Sequence, residues 1–598
     1  MATDTDDRTE TVESNTADTP AARSDRRRVV FPWVWLILLG VARLAVQTTE
    51  LTVDFKNIAT LATVLLAVSG LGCWYLIRGR RPLVIRLAAA AAPFIAAFAF
   101  LSFFELKFRG DGSVQGVHRR GEPKPDELLA AIEVEDGGGL ADWGPGPYDY
   151  PRFLGSGPWA SAVGPSLAAD WSESPPEELW RRPIGAGWSS FAVYGPYAVT
   201  QEQRGEEELV VCYKLLTGEP VWSHTDPIRY LPDNAAGEMG RAGPRATPTI
   251  VADRVYTQGA TGFVNCLDGR TGAVVWSVDT AERFGADVAV WGKSGSPLFV
   301  QGSDGDAAQV IVNVGAPSDW KDQPEYSSSL VAFDAQSGEV RWSAGNRQTS
   351  YASPQLIALH GQPVVVQTSD LLLSGRDAAT GELLLERAWS GTSENMPTCS
   401  QPVAIGENRL LMTKGYGFGS TLLEVRREDA AWSLQPVWDP PIKPVLQTKY
   451  SNVVVRDGYA FGLNGDRLQC VDVATGERMW RKRRRPSFGF GQVLLAGEHL
   501  IVSTEAGEIV QILASPEKYE ELGSLQALAE DEVCWNNPVI VGDVLIHRNA
   551  VEAVAYRLPL GEGEPVTLTS TKRADGSAAA LDTESADQPE TTGEDAGA

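Results

Sequence analysis

The segments VNCLDGRTGAVVW (264–276) and LVAFDAQSGEVRW (330–342) carry the clearest architectural signal in this chain. Two further copies of the pattern are VVCYKLLTGEPVW (210–222) and LQCVDVATGERMW (468–480). Each copy reads as an alternating strand, a tight turn at Thr-Gly or Ser-Gly, and a second short strand that ends on Trp. Glycine suits the turn because it adopts positive φ at no steric cost. Four copies of one hairpin predict a β-repeat architecture.

A second pattern gives the number of repeats. A polar or Pro-containing lead-in followed by an apolar run begins eight times between residues 189 and 537, at a mean spacing of about 50 residues. A unit of that length holds four short strands, which is the size of a propeller blade. We therefore predict an all-β, eight-bladed β-propeller over residues 176–560. A linear β-solenoid is the alternative that this spacing leaves open.

The two ends of the predicted propeller complement each other. The last unit is one strand short, and the segment ELWRRP (178–183) before the first unit supplies a spare strand with Trp180 in the place of the repeat Trp. Pairing these ends would close the ring and leave no sheet edge unpaired.

The Thr-Gly-x-x-x-Trp repeats resemble those of the pyrroloquinoline-quinone (PQQ) type eight-bladed propellers, over about residues 177–560. That superfamily includes quinoprotein alcohol dehydrogenases and BamB-like scaffolds of outer-membrane protein assembly. The segments at 185–193, 200–208 and 243–249 also resemble membrane-anchored bacterial propellers of unassigned function. The resemblance implies that the repeat tryptophans dock between blades; these are Trp180, Trp222, Trp276, Trp342 and Trp480.

The N-terminal part reads as a membrane module. Residues 1–28 are polar and are interpreted as a disordered cytoplasmic tail. Within 29–104, apolar stretches at about 29–47, 58–77 and 84–104 each have the length that crosses a ~30 Å hydrocarbon layer as a helix, which predicts three transmembrane helices. Basic clusters precede the first stretch and surround the turn between the last two; they comprise Arg26, Arg27, Arg28, Arg78, Arg80, Arg81 and Arg86.

Positive charge on the cytoplasmic side then places the propeller on the periplasmic side of a bacterial inner membrane, with a multi-pass anchor. Residues 105–175 are rich in Gly and Pro and are predicted to form a linker. Residues 561–598 are predicted to form a disordered acidic tail.

Composition excludes several function classes. The net charge of −25 argues against a nucleic-acid binder, which needs a basic face. Six Cys form no CxxC pair, and five scattered His form no HExxH motif. No metal site and no catalytic residue is predicted from these patterns.

For the dehydrogenases of the family, the resemblance implies a catalytic Asp, a calcium ion held by carboxylate and Asn, a Trp floor and often a disulfide between adjacent Cys. No Cys–Cys pair occurs here, and Cys212, Cys266 and Cys470 fall at equivalent positions of three different blades. No calcium-binding set is recognisable either. We therefore expect no cofactor, with PQQ and calcium as the alternative.

The segments that lead into the innermost strands must reach the propeller axis, and several are polar and aromatic. Such groups in a concave mouth suit a peptide or carboxylate, although they would equally plug the channel. Gln201 and Arg204 lie inside the first blade and are expected to brace the mouth. The predicted binding residues are Trp188, Gln201, Arg204, Arg245, Trp291, Lys293, Tyr351, Lys449, Tyr450, Trp535 and Asn536.

Together these patterns favour a membrane-integral propeller that acts as a protein-interaction or scaffold module with a protein partner and without catalysis. Two alternatives stay open: a PQQ-dependent quinoprotein dehydrogenase, and a binder of a small ligand or peptide at the axial mouth.

Overall fold

A computed structural model describes residues 20–49, 53–132, 139–157, 160–232, 241–302, 307–563 and 565. The chain divides into two compact units, one of residues 1–105 with 117–120 and one of residues 106–116 with 121–598. Most of the predicted tails at 1–28 and 561–598 lies outside the described residues.

The first unit contains three helices: α1 (Pro20–Thr48), α2 (Val53–Arg78) and α3 (Leu83–Phe103). Two segments, Phe55–Arg78 and Leu83–Phe103, are long and apolar enough to cross a membrane. The described residues of α1 also contain a shorter apolar stretch, Pro32–Thr48. The prediction of three spans is therefore not confirmed, and two candidate spans are found among the described residues.

Four strands precede the repeats. The strands β1 (Phe104–Phe108) and β2 (Val114–Arg119) pair with each other, and a short 3-10 turn follows at Pro125–Leu128. Two strands that join the propeller come next, β3 (Ser161–Ala162) and β4 (Glu177–Pro183).

Seven of the repeats fold as antiparallel sheets of four consecutive strands, and the eighth has three consecutive strands. The strands of the first four are β5 (Ala192–Tyr194), β6 (Tyr197–Arg204), β7 (Glu207–Lys214), β8 (Pro220–Asp226), β9 (Thr249–Val251), β10 (Arg254–Gln258), β11 (Phe263–Asp268), β12 (Val274–Asp279), β13 (Leu298–Val300), β14 (Gln309–Asn313), β15 (Leu330–Asp334), β16 (Val340–Ala344), β17 (Gln355–Leu359), β18 (Gln362–Ser369), β19 (Leu372–Asp377) and β20 (Leu383–Ala388). A short helix, α4 (Thr280–Phe284), follows the second sheet.

The remaining strands form the last four sheets. They are β21 (Val403–Ile405), β22 (Arg409–Lys414), β23 (Gly419–Glu428), β24 (Ala431–Pro436), β25 (Val454–Arg456), β26 (Tyr459–Asn464), β27 (Arg467–Asp472), β28 (Arg478–Arg483), β29 (Gln492–Ala496), β30 (His499–Ser503), β31 (Glu508–Leu513), β32 (Glu521–Gln526), β33 (Val539–Val541), β34 (Val544–Arg548) and β35 (Glu552–Arg557).

These sheets are the eight blades of a β-propeller, as predicted. Blade 8 takes its outer strand from β4, and Trp180 lies opposite Ala555 in that pairing. The predicted closure by residues 178–183 is thereby confirmed. Blade 7 carries β3 as an additional parallel strand beside β29. The first strand of each blade lies innermost, and consecutive inner strands such as β5 and β9 contact one another.

The repeat tryptophans lie between blades. The ring of Trp222 packs over Gly272 of the next blade so closely that a Cβ on that glycine would lie 2.6 Å from it. Its indole N–H donates to the Gly269 carbonyl at 2.8 Å. Equivalent ring-on-glycine contacts are Trp180 on Gly218, Trp276 on Gly338 and Trp342 on Gly381, and Trp480 donates to Ser515. Trp438, which the repeat pattern missed, packs on Gly476.

Candidate functional site

A cavity of about 200 Å³ lies on the propeller axis, at the mouth formed by the lead-in segments. Every blade contributes to its wall. Six of the predicted binding residues line it: Trp188, Arg245, Trp291, Tyr351, Tyr450 and Trp535. The sequence pattern did not single out the other lining residues, which are Phe153, Thr247, Ser294, Ser353, Pro397, Cys399, Gln401, Tyr416, Asn452, Gln492 and Asn537.

Part of the wall consists of three aromatic rings in contact with one another. The rings of Trp188 and Trp535 stack with centroids 4.8 Å apart, and Tyr450 follows at 4.8 Å from Trp535. On another part of the wall, the hydroxyl of Tyr351 accepts from the backbone N–H of Trp291 at 3.1 Å. Burial raises the pKa of the Tyr351 hydroxyl, so this group stays neutral. Apart from Arg245, the described wall is therefore apolar over its faces and neutral at its polar edges.

Arg245 is the charged residue among the described lining residues. Its guanidinium lies 4.8 Å from the centre of the Tyr230 ring and donates to the carbonyls of Arg241 and Gly243. Burial lowers the pKa of Arg245 from its ordinary value. Beneath this loop, burial raises the pKa of Glu208 to about 8. The mouth thus has one cation, which its own loop carbonyls and an aromatic ring help to hold.

Five predicted residues do not line the cavity, because neighbouring backbone holds their side chains. Gln201 donates to the Ala246 and Gln258 carbonyls at 2.6 and 3.2 Å. Asn536 donates to the Gly187 and Ser189 carbonyls. Both amides therefore brace the lead-in of blades 1 and 2.

The three cationic residues of that group are also engaged. Arg204 pairs with Glu202 at 2.6 Å. Lys293 donates to the carbonyls of Val314 and Asp287, and burial lowers its pKa to about 8. Lys449 lies within 4.6–5.2 Å of three ring centres; the rings are those of Tyr416, Tyr450 and Phe490. Lys293 and Lys449 thus lie outside the described lining, and Arg204 contacts Glu202 and the Ala130 carbonyl instead.

The loop of residues 109–113 lies at the rim of the mouth. The backbone N–H of Gly110 donates to Oε1 of Glu505 at 2.7 Å, and Nε1 of Trp535 donates to the same oxygen at 2.9 Å. Lys449 donates to the Gly110 carbonyl at 3.2 Å. Burial raises the pKa of Glu505. Sequence reasoning missed this contact because almost 400 residues separate its partners.

A strap formed by residues 150–157 crosses the far end of the channel. The Pro151 carbonyl accepts from the N–H of Ile250 at 2.7 Å, and Tyr150 bridges Val193, so the strap pairs with inner strands of blades 1 and 2. Phe153 of the strap lines both the axial cavity and a smaller pocket beside Leu298. The strap therefore puts one aromatic side chain into the channel from the side opposite the mouth.

A Cys–His pair lies buried beside the mouth. Sγ of Cys534 lies 3.1 Å from Nε2 of His547, which also contacts Oγ of Ser503 at 2.8 Å. Burial raises the pKa of the Cys534 thiol to about 12 and lowers that of His547 to about 3. Both groups are neutral at pH 7, so this pair lacks the thiolate that a nucleophilic cysteine needs.

The lining residues do not fit a calcium–quinone centre. Calcium binds carboxylate and carbonyl oxygens, and the lining that the structure describes has amides, Asn452 and Asn537, but no Asp or Glu. No group of three or more His, Cys, Asp or Glu that could hold a metal occurs among the described residues. A carboxylate base for alcohol oxidation is likewise missing from the described wall.

The sequence of this chain is similar to that of known proteins. A family model described as "Outer membrane protein assembly factor BamB" matches residues 205–482. The outer membrane protein assembly factor BamB of Burkholderia pseudomallei (strain K96243) is 25% identical over 294 residues, which cover 44% of this chain and 71% of that protein. Over these residues the propeller is similar to the PQQ-like, BamB-like β-propeller repeat proteins.

Two solved structures have a similar fold. BamB from Moraxella catarrhalis aligns at a TM-score of 0.43 and 14% identity, covering 64% of this chain and all of that one. The quinohemoprotein alcohol dehydrogenase from Comamonas testosteroni aligns at a TM-score of 0.36 and 13% identity, covering 71% and 83%.

Proposed function

We propose that this BamB-like propeller is a non-catalytic scaffold, anchored in a bacterial inner membrane, that binds a protein partner in the periplasm. The observation that carries the proposal is the chemistry of the axial mouth. All eight blades converge there on aromatic rings, neutral amides and hydroxyls, and the guanidinium of Arg245, which donates to carbonyls of its own loop. Such a surface is suited to binding, and its described lining has no group poised for proton transfer. The relation to an assembly factor supports the same choice.

The proposed anchor consists of the two candidate spans together with α1 as a third. Arg78, Arg80 and Arg81 lie at the connection between α2 and α3, and basic connections stay in the cytoplasm. The chain that leaves α3 then emerges on the periplasmic side, whether or not α1 crosses. Trypsin added to spheroplasts is expected to cleave the propeller; protection of the propeller until the membrane is lysed would overturn this orientation.

Photo-crosslinking in cells tests the scaffold role. Benzoylphenylalanine replaces Met396, an exposed residue next to Pro397 of the mouth, or Met479, which is exposed on the outer strand of blade 6. We expect a discrete adduct with one protein from the Met396 position and none from Met479. Failure of both positions to give an adduct, with the variants folded and inserted, would contradict a protein-binding role.

A separate measurement tests the quinoprotein alternative. Purified protein is titrated with PQQ and calcium while its absorption spectrum is recorded. A spectrum equal to the sum of the separate spectra of the protein and of PQQ with calcium supports the scaffold role. A stoichiometric quinone band with alcohol-dependent dye reduction would replace the scaffold by an oxidoreductase.

A further inference from the structure

We propose that the axial cavity binds one aromatic side chain carried by an extended segment of the partner protein. This proposal deepens the scaffold function and rests on it, because it names the chemistry by which the partner would be recognised.

The wall is built for a flat apolar group. On one part of the wall Trp188 stacks on Trp535, whose ring Tyr450 contacts at a tilt, and Trp291 with Tyr351 forms another part. Aromatic rings attract another ring in offset or edge-to-face geometry, and they bury a large apolar area in doing so. Such a surface would surround a side chain that contains a single aromatic ring or two fused rings.

The cavity size limits the ligand. Pockets that take drug-sized molecules measure about 300–1,000 Å³, whereas this one measures about 200 Å³. A single side chain therefore fits better than a large fused cofactor. Neutral hydroxyls and amides along the wall, including Thr247, Ser353 and Asn452, match the N–H and C=O groups of the peptide that would carry the ring.

The charged groups of the cavity lining further limit the class of ligand. The described lining contains no carboxylate to pair with a lysine or arginine side chain, and the guanidinium of Arg245 in the wall repels a second cation. Arg245 donates to two carbonyls of its own loop and lies over Tyr230. A neutral aromatic group meets these conditions without burying an unpaired charge.

The chain itself provides a precedent at the other end of the channel. The strap pairs its backbone with inner strands at Val193 and Ile250 and places Phe153 against the same cavity. An extended backbone at the channel edge and a ring inside the channel thus already form one stable arrangement here. The open mouth offers the same combination to a second segment.

The test uses single-residue probes on the full chain in lipid nanodiscs. N-acetyl-L-tryptophanamide is the aromatic probe, N-acetyl-L-leucinamide is the aliphatic control, and methyl β-D-glucopyranoside represents a carbohydrate. Binding is followed by saturation-transfer NMR, with empty nanodiscs as the blank. We expect a Kd on the order of 0.1–1 mM for the tryptophan probe and at least tenfold weaker binding of the other two.

Two variants locate the binding. Trp291→Ala removes part of the wall, and Ser294→Leu fills the cavity without removing a ring; each is expected to weaken the tryptophan probe at least tenfold. Trp320→Ala, at a tryptophan outside the lining, is the matched control and should leave binding unchanged. Melting temperatures show whether each variant is folded, and Ser294→Leu keeps the test valid if Trp291→Ala unfolds.

Each result decides the proposal. Equal binding of all probes, preference for the glucoside, or unchanged binding in both cavity variants would overturn it. If the tryptophan probe fails while the Met396 adduct persists, the aromatic-recognition proposal falls and the scaffold function stands. If both fail, both proposals fall.

Discussion

Each repeat tryptophan packs on a glycine of the next blade. Adding a single methyl group at that glycine is therefore expected to lower the free energy of unfolding by a predictable amount. In Gly272→Ala, the new Cβ would lie 2.6 Å from the ring of Trp222, at a backbone φ of +72°. The left-handed backbone costs about 1–2 kcal/mol for any residue with a Cβ, and overpacking against a buried ring adds about 1–3 kcal/mol. We expect a total loss of about 2–5 kcal/mol in the free energy of unfolding.

Gly458→Ala is the matched control. Gly458 has a similar φ of +82°, but a Cβ there would meet no atom within 4 Å. Only the backbone cost of about 1–2 kcal/mol should remain. The difference between the two variants therefore isolates the contact between blades from the conformational cost of the turn.

The assay is urea unfolding of the full chain in detergent, followed by tryptophan fluorescence. A lower midpoint with an unchanged slope reports lost stability. A double variant, Gly272→Ala with Trp222→Leu, should lose less than the sum of the two single variants, because the smaller side chain makes room for the methyl group. Equal losses at Gly272 and Gly458, or strict additivity in the double variant, would refute the docking argument.

Three further predictions concern the buried groups of Glu208 and Cys534 and the partly buried Trp180. The carboxyl of Glu208 ionises near pH 4.5 in the unfolded chain and at about 8 in the folded one; between these values the unfolded chain binds fewer protons, so stability falls as pH rises. Glu208→Gln should flatten that decline in urea midpoints measured from pH 5 to 8, and an unchanged slope would contradict the assignment. Because its pKa is about 12, Cys534 should resist iodoacetamide at pH 8 until urea unfolds the chain, as mass spectrometry of the labelled peptide would show; rapid labelling of the folded protein would exclude a neutral thiol. Trp180→Ala should cost about 3–5 kcal/mol, because Trp180 packs on Gly218 and donates to Leu215 at 2.8 Å where the ring closes; early protease cleavage near β4 would report the opening, and full resistance would argue against closure at that strand.

The repeat architecture was predictable because its determinants are local. A strand, a Thr-Gly turn and a terminal Trp lie within thirteen residues, and eight lead-in segments at near-constant spacing count the blades without reference to any long-range contact. The spare strand at 178–183 revealed the closure for the same reason. Trp438 escaped the pattern because it follows β24 by two residues, outside the strand where the pattern places the Trp.

Apolar length predicted three spans, and only two segments satisfy the length and composition criterion among the described residues. The third predicted span lies in α1, whose described apolar part is Pro32–Thr48.

The sequence by itself determined the blade count, the closing strand and the segments that reach the axis, since these depend on period, turn chemistry and strand polarity. Tertiary structure decided which side chains meet at the axis. Gln201 and Asn536 are held by backbone carbonyls, whereas Phe153 and Tyr416 line the cavity. The contact of Gly110 with Glu505 joins residues almost 400 positions apart. No sequence period encodes such contacts, because they form only when eight separate blades close into one ring.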